Sequence, residues 1–311
     1  MQSKSETFDE LPPELKLKIV NAQNLSNRDL VNLAQTSKYH LAFFKPVIGV
    51  RKFLHHVTRG EHDAVKAMLK QDINLMFKRG KVTDCSGREF ENISGFIYAL
   101  WALDKHMWAA MIASIPQDEE GKKVFARLYA QYNKVNTDGV TYRLNAKTIT
   151  EQHFDFENTI IKELQTQVDL IYVPGAKNRE VIENQWRRGV GSAENLFPMH
   201  VVYEYCSDEP FYFVPKFTSQ PKSSKQFYNL ITKKYENWFS VGSKLSVDFA
   251  IYKGGWTWAR GGEADGWGVG TKLDLNAMAA LCKVRTNDFI DLKSQLEDQM
   301  TLDNHHQVSQ I

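Results

Sequence analysis

The chain has 311 residues, 42% of them hydrophobic, which is enough for the cores of two or three folded domains. Its 39 basic and 37 acidic residues nearly balance and form no dense basic patch, so nucleic-acid binding is disfavoured. No apolar run approaches the ~18 residues of a membrane span, and the three widely spaced cysteines predict reduced thiols without zinc or disulfides.

Residues 8 to 48 are predicted to form three short helices. Pro13 suits the first position of a helix, because its φ is preset and its missing N–H is not needed there. Leu15 and Ile19 then recur at helical spacing, and Ser26 or Asn27 caps a second helix. We expect a third helix to end at Pro46. Three helices of this size bury too little apolar surface to be stable alone, so this unit needs a partner or a neighbouring domain.

The same segment carries an ordered set of motif residues, which runs Leu11-Pro12-x-Glu14-Leu15-(x3)-Ile19-(x5)-Leu25-(x3)-Asp29-Leu30-(x2)-Leu33-Ala34-x-Thr36-Ser37-Lys38. This pattern resembles the F-box, the docking module of ubiquitin-ligase substrate receptors. Many F-boxes carry a Trp in the third helix, where this chain has Tyr39, Phe43 and Phe44. The resemblance covers about an eighth of the chain.

The F-box resemblance implies a partner and a set of contacts. In that family, the Leu-Pro pair and the apolar residues of the first two helices insert into the Skp-type adaptor, which links the receptor to a cullin. Carried over by position, the adaptor-binding candidates are Leu11, Pro12, Leu15, Ile19, Leu30 and Leu33.

Residues 50 to 116 contain an internal repeat. The segment that begins at Phe53 aligns with the segment that begins at Phe96, and each predicts a helix, a turn and a second helix. The first copy resembles an ankyrin repeat. The spacing exceeds the ankyrin period, and we assign the surplus to a polar inserted loop within residues 80 to 92. Such helix pairs stack, and the stack is a binding surface for a target protein. The target-binding candidates are Asp84, Arg88, Glu89, Trp101, His106 and Trp108, although burial in a core is the more frequent role of tryptophan.

Residues 117 to 298 predict a mostly helical C-terminal domain with minor β structure, and residues 299 to 311 a disordered tail. Helices are expected over residues 118–135, 156–172 and 178–186. Asp274 is expected to cap a helix through Leu281, and a separate helix covers Thr286 to Leu296. The glycine- and tryptophan-rich stretch from Lys253 to Gly270 lacks the GxxxxGK[ST] phosphate loop and reads as an ordered or protein-contacting loop.

One segment offers a possible catalytic group. A strand would place His200, Glu204, Cys206 and Asp208 on one face, whereas a helix would pair His200 with Glu204. Cysteine nucleophiles need a base nearby, and this segment supplies the residue types without a family signature. A structural role for both residues is therefore favoured, and we expect no catalytic residue, metal or cofactor.

The fold class predicted is mainly α, with an N-terminal three-helix F-box, ankyrin-like helix pairs and a mostly helical C-terminal domain. The resemblance implies a non-catalytic substrate receptor that presents a bound target protein for ubiquitination. The alternative is an enzyme that acts through Cys206 and His200 and is recruited by its F-box. The segment around Trp101 also resembles effectors that intracellular bacteria deliver into host cells, which implies secretion into the host cytosol; otherwise we expect a cytoplasmic protein.

Overall fold

Helices dominate the chain in the computed structural model, which describes residues 8–22, 25–223, 225–254, 260–261 and 266–301. The α-helices are α1 (Pro13–Ala22), α2 (Asn27–Gln35), α3 (Lys38–Thr58), α4 (His62–Gln71), α5 (Gly95–Trp101), α6 (Lys105–Ile112), α7 (Glu119–Asp138), α8 (Lys162–Tyr172), α9 (Arg179–Asn184), α10 (Gly191–Glu194), α11 (Met199–Tyr205) and α12 (Val269–Thr301). Short 3-10 helices cover Phe8–Glu10, Ile73–Met76 and Val241–Ser243, and π-helical turns cover Glu157–Ile161 and Gln185–Val190. The mainly α fold class is confirmed.

The described strands form two small sheets. They are β1 (Gly80–Thr83), β2 (Glu89–Ile93), β3 (Val140–Leu144), β4 (Lys147–Glu151), β5 (Gln226–Asn229), β6 (Lys234–Asn237) and β7 (Arg260–Gly261). The first sheet has the order β1-β2-β3-β4 and is antiparallel throughout, but β2 and β3 share a single register pair, Glu89 with Arg143. The second has the order β6-β5-β7, with β7 parallel to β5.

Helix α3 is longer than predicted. We expected a helix end at Pro46, but α3 continues through Pro46 to Thr58. Its two halves bury residues in different cores, Phe44 in the N-terminal unit and Phe53 with Leu54 in the larger one. Because both halves are held by packing, the local cost of proline is outweighed. The predicted boundary between residues 48 and 50 therefore lies inside one helix.

The internal repeat corresponds to two helix pairs of similar geometry. In the first pair, α3 and α4 are joined at Gly60 and Glu61; in the second, α5 and α6 are joined at Leu103 and Asp104. Gly60 and Leu103 both have a positive φ, 65° and 55°. Glu61 and Asp104 both occupy the N-cap of the following helix, and the Asp104 carboxylate accepts from the N–H of Met107. The same turn conformation thus recurs at the matched positions 60 and 103. A positive φ is sterically unfavourable for leucine but not for glycine, which has no Cβ.

The predicted inserted loop is an ordered β-hairpin. Residues 80 to 92 form β1, a turn and most of β2, and Asp84 accepts hydrogen bonds from the N–H groups of Ser86 and Arg88 within that turn. The segments predicted as repeats and as C-terminal domain also share one hydrophobic core, in which Trp101, Trp186 and Leu281 are buried. They pack as one body rather than as two separate cores.

The C-terminal helix also differs from its prediction. Residues 269 to 301 form one helix, α12, where two helices were expected. Asp274 is not an N-cap: it is buried in the first turns of α12 and accepts from the N–H of Lys253 at 3.3 Å. Helix α12 also includes residues 299–301 of the predicted tail, and residues 302–311 lie outside the described residues. Among the described helices, none is both long and apolar enough to cross a membrane.

Candidate functional site

The N-terminal unit is held by two helix caps and a small core. The Ser26 hydroxyl accepts from the N–H of Asp29 at 3.1 Å, and the Ser37 hydroxyl accepts from the N–H of His40 at 3.0 Å, so α2 and α3 both begin at capped positions. The core of the unit consists of Val20, Leu30, Ala34 and Phe44. A core of four buried side chains is small, which agrees with the expectation that this unit depends on its neighbours.

Helix α1 turns an unexpected residue inward. Lys16 and Val20, one turn apart, are both buried, and the Lys16 ammonium lies 4.9 Å from the ring centroid of Tyr39. The apolar stripe of Leu15 and Ile19 therefore faces outward, with Leu15 44% exposed and Ile19 half-buried. These two adaptor-binding candidates are therefore accessible at the surface, Leu15 more than Ile19.

The outward residues define a surface that we call the α1 face, which consists of Leu11, Pro12, Leu15 and Ile19. Pro12 is exposed and Leu11 is half-buried. Pro12, Leu15 and Ile19 follow one another at intervals of three and four residues, so they share one side of the helix. These three apolar groups, with Leu11 before them in the chain, form a small apolar surface at the start of α1.

The two α2 candidates occupy different environments. Leu30 is only 1% exposed because it lies in the core of the unit, so it cannot contact an adaptor directly. This part of the predicted contact set is corrected. Leu33 is half-buried and packs on the edge of that core. Exposed apolar side chains that the motif did not single out are Val31, Tyr39 and Leu41, of which Tyr39 stacks on Phe43 with ring centroids 6.0 Å apart.

Four of the six predicted target-binding residues are interior. Asp84, Arg88, Trp101 and Trp108 are all buried, and only Glu89 and His106 retain partial exposure. Arg88 donates to the Leu196 carbonyl at 2.9 Å and lies 3.5 Å from an Asp84 carboxylate oxygen, so its charge is used inside the protein. The structure therefore contradicts a binding role for these four residues.

Cys206 and His200 do not form a nucleophile and its base. Residues 199–205 are helical, Cys206 is buried, and burial raises the pKa of its thiol to about 12, whereas a reactive cysteine needs a lowered pKa. The His200 Nε2 atom lies 2.7 Å from the Ala102 carbonyl oxygen, and burial lowers the pKa of this imidazole to about 4. These contacts are structural. Among the described residues, no three His, Cys, Asp or Glu side chains are grouped as a metal site requires.

A buried charge network surrounds the end of α11. Arg285 of α12 lies 3.5 Å from a Glu204 carboxylate oxygen, and its guanidinium also donates to the Phe217 carbonyl at 2.8 Å. Lys253 donates to the Ser207 carbonyl at 3.0 Å and to the Ser207 hydroxyl at 2.8 Å. Burial raises the pKa of Glu204 to about 7 and lowers the pKa of Lys253 to about 8. The network caps the C-terminal end of α11 and ties it to α12.

Sequence reasoning found the α1 face but not the charge network. The residues of the α1 face are close together along the chain, so a short sequence motif such as the F-box can include all of them. Glu204, Lys253 and Arg285 belong to three separate segments, and nothing in their local sequence marks them as neighbours. Only the tertiary fold brings them together.

The fold and the α1 face define a mainly α protein that carries a partly exposed apolar surface on its N-terminal unit. The chain belongs to the CBUA0006 family. It is 35% identical over 267 residues to the uncharacterized protein CBUA0006 of Coxiella burnetii (strain RSA 493 / Nine Mile phase I), an alignment that covers 79% of this chain and 75% of the relative. The CBUA0006 C-terminal domain family matches residues 159–296. No solved structure matches the chain, and the family comparison detects neither an F-box nor an ankyrin repeat.

Proposed function

We propose that this protein is an F-box-type substrate receptor, which docks through its α1 face to a Skp-type adaptor and thereby to a cullin, and presents a target protein for ubiquitination. The observation that carries the proposal is the orientation of α1. Leu15 and Pro12 are exposed on a helix that buries a lysine instead, so apolar side chains stay in water when the chain is alone. Such an arrangement is costly unless a partner covers them.

The role assigned to the protein is positioning. A receptor of this kind needs no catalytic residue, because it raises the effective concentration of a target near the ubiquitin donor. The contacts of Cys206 and His200 described above favour this function over a cysteine-dependent enzyme. The proposal also assigns the ankyrin-like helix pairs to the target-binding surface. It further includes delivery of the protein by a bacterium into the cytosol of a host cell.

Removal of the α1 face tests the proposed function. The double variant Pro12→Ala/Leu15→Ala should bind a purified Skp-type adaptor about 30- to 1,000-fold more weakly than the wild-type chain, because apolar anchors of this kind contribute about 1–2 kcal/mol each. The affinity is measured by titration calorimetry on the full-length chain. Both side chains are exposed, so the fold and its circular dichroism should not change.

The matched control removes an equally exposed apolar side chain elsewhere. Ile290 on α12 is 59% exposed, and Ile290→Ala should bind the adaptor like the wild type. Wild-type chain that does not bind the adaptor, or a double variant that binds it with unchanged affinity, would refute the docking function.

A further inference from the structure

A cavity of about 450 Å³ lies where the second half of α3 passes the β1–β2 hairpin. The apolar wall of the cavity consists of Pro46, Val47 and Val50. The cationic side chains of the lining are Arg51, which also lies on α3, and Lys78, Arg79 and Lys81, which lie at the start of the hairpin. Glu91 is the acidic residue that lines the cavity. A volume of this size is in the range of small-ligand sites.

The two lysines of the lining already have carboxylate partners. The Lys81 ammonium lies 3.0 Å from Glu91, and the Lys78 ammonium lies 2.6 Å from Asp72, which approaches from outside the cavity. Their charges are largely balanced. Neither lysine therefore provides the excess charge of the site.

The two arginines differ, because their partners in the described chain are neutral. Arg51 is buried and donates to the Leu25 carbonyl at 2.7 Å and to the Val20 carbonyl at 3.4 Å, and Arg79 donates to the Asn92 carbonyl at 3.2 Å. Carbonyl oxygens accept hydrogen bonds but carry no net charge. Two positive charges thus remain without a carboxylate partner in the lining of the cavity, so an anion that enters gains an attraction that no described residue already satisfies.

We propose that this cavity binds a phosphate monoester group. A phosphate monoester carries a charge of about −1.5 to −2 near neutral pH and three acceptor oxygens, which matches two unneutralised guanidinium groups. Each guanidinium has five donors in a planar fork and pairs with phosphate oxygens through two parallel hydrogen bonds. The exposed Arg79 retains donors beyond the one it gives to Asn92, and it supplies this contact. A carboxylate ligand would neutralise only one of the two charges.

The apolar wall indicates what the phosphate is attached to. Pro46, Val47 and Val50 can pack against a hydrocarbon or aromatic group, which free phosphate lacks. Inorganic phosphate and an aryl phosphate can both pair with the arginines, but only the aryl phosphate can also pack against the apolar side chains. The site therefore favours a phosphorylated aromatic group over the free anion.

Titration with small phosphates tests this site on the full-length chain. Inorganic phosphate should bind and raise the thermal midpoint, and phenyl phosphate should bind more tightly. Arg79→Gln should weaken the binding of inorganic phosphate and of phenyl phosphate by about tenfold each, because it removes one charge-assisted bidentate contact. Arg79→Lys, which keeps the charge and loses the fork, should give an intermediate affinity. Arg51 is left intact because it also anchors the turn at Leu25.

The control variant is Arg187→Gln, which removes an exposed arginine elsewhere and should bind phosphate like the wild type. Sodium chloride at equal ionic strength should not reproduce the thermal shift. An equal shift in chloride, or an Arg79→Gln variant with wild-type affinity, would overturn the proposal. Adaptor binding by Arg79→Gln should be unchanged, so the outcome is independent of the proposed receptor function.

Discussion

Arg285→Met should lower the free energy of unfolding by about 3–5 kcal/mol at neutral pH, because it removes the guanidinium that lies 3.5 Å from the buried Glu204 carboxylate and 3.1 Å from Asp288. Arg285 is fully buried and also donates to the Phe217 carbonyl, which loses a donor in the variant. The change is measured as the shift of the urea midpoint. Arg187→Met, at an exposed position, should change stability by no more than about 0.5 kcal/mol.

The loss caused by Arg285→Met should depend on pH with a defined sign. Burial raises the pKa of Glu204 from 4.5 to about 7, so the folded state binds this proton more tightly than the unfolded state does. The contribution of Glu204 to the free energy of unfolding therefore falls as the pH rises from about 4.5 to about 7. Removal of Arg285 raises this pKa further, so the penalty continues to grow at higher pH. The deficit of the variant should thus be smaller at about pH 5 than at about pH 8.

A second substitution separates charge burial from lost packing. In the double variant Glu204→Gln/Arg285→Met, the unpaired carboxylate is gone, and most of the lost stability should return. A double variant as unstable as Arg285→Met, with the same pH dependence, would show that the Glu204 charge is not the cause.

Trp101→Ala should cost about 3–5 kcal/mol of stability, because Trp101 is completely buried and its removal leaves a large cavity. Its ring packs against Phe90 and Tyr142 with centroids 5.1 and 5.4 Å away, and its indole N–H donates to Glu151 at 3.0 Å. Urea denaturation measures the loss. This variant distinguishes a core residue from the surface contact that the sequence predicted.

The comparison residue is Glu89, which is half-buried beside the same cluster. Glu89→Ala should leave stability within about 0.5 kcal/mol of the wild type, since no large apolar group is lost. A small effect of Trp101→Ala would contradict the packing described for the core.

The predictions from sequence were most accurate where a local pattern determines structure. The helix expected over residues 118–135 is found as α7, because Asp118 caps it and its apolar period is regular. Self-comparison also located both helix pairs, although it did not reveal the shared turn conformation of Gly60 and Leu103. The F-box motif identified the outward side of α1, but it could not separate Leu30, which supports the unit, from Leu15, which is open to a partner.

The errors arose where tertiary packing overrides local signals. Pro46 and Asp274 are an ordinary helix breaker and an ordinary N-cap in sequence, yet both lie inside long helices whose packing on either side outweighs these preferences. The arginine cavity was missed for another reason. Arg51 lies on α3 and Arg79 in the connection before β1, and only the approach of the hairpin to α3 places both in the lining of one cavity.

Helix α3 also sets the orientation in which a docked receptor would hold the rest of its chain. Its 21 residues extend over roughly 32 Å, and its first half belongs to the N-terminal unit while its second half belongs to the larger core. A helix turns by about 100° and rises by about 1.5 Å per residue. Its length therefore fixes both the distance between its two ends and the rotation of one end relative to the other about the helix axis. Gly49 near its middle has no other atom within 4 Å of the position that a Cβ would occupy. The number of residues in α3 therefore sets the distance and the relative rotation between the N-terminal unit and the larger core, and in the proposed receptor it would set which side of that core faces the ligase.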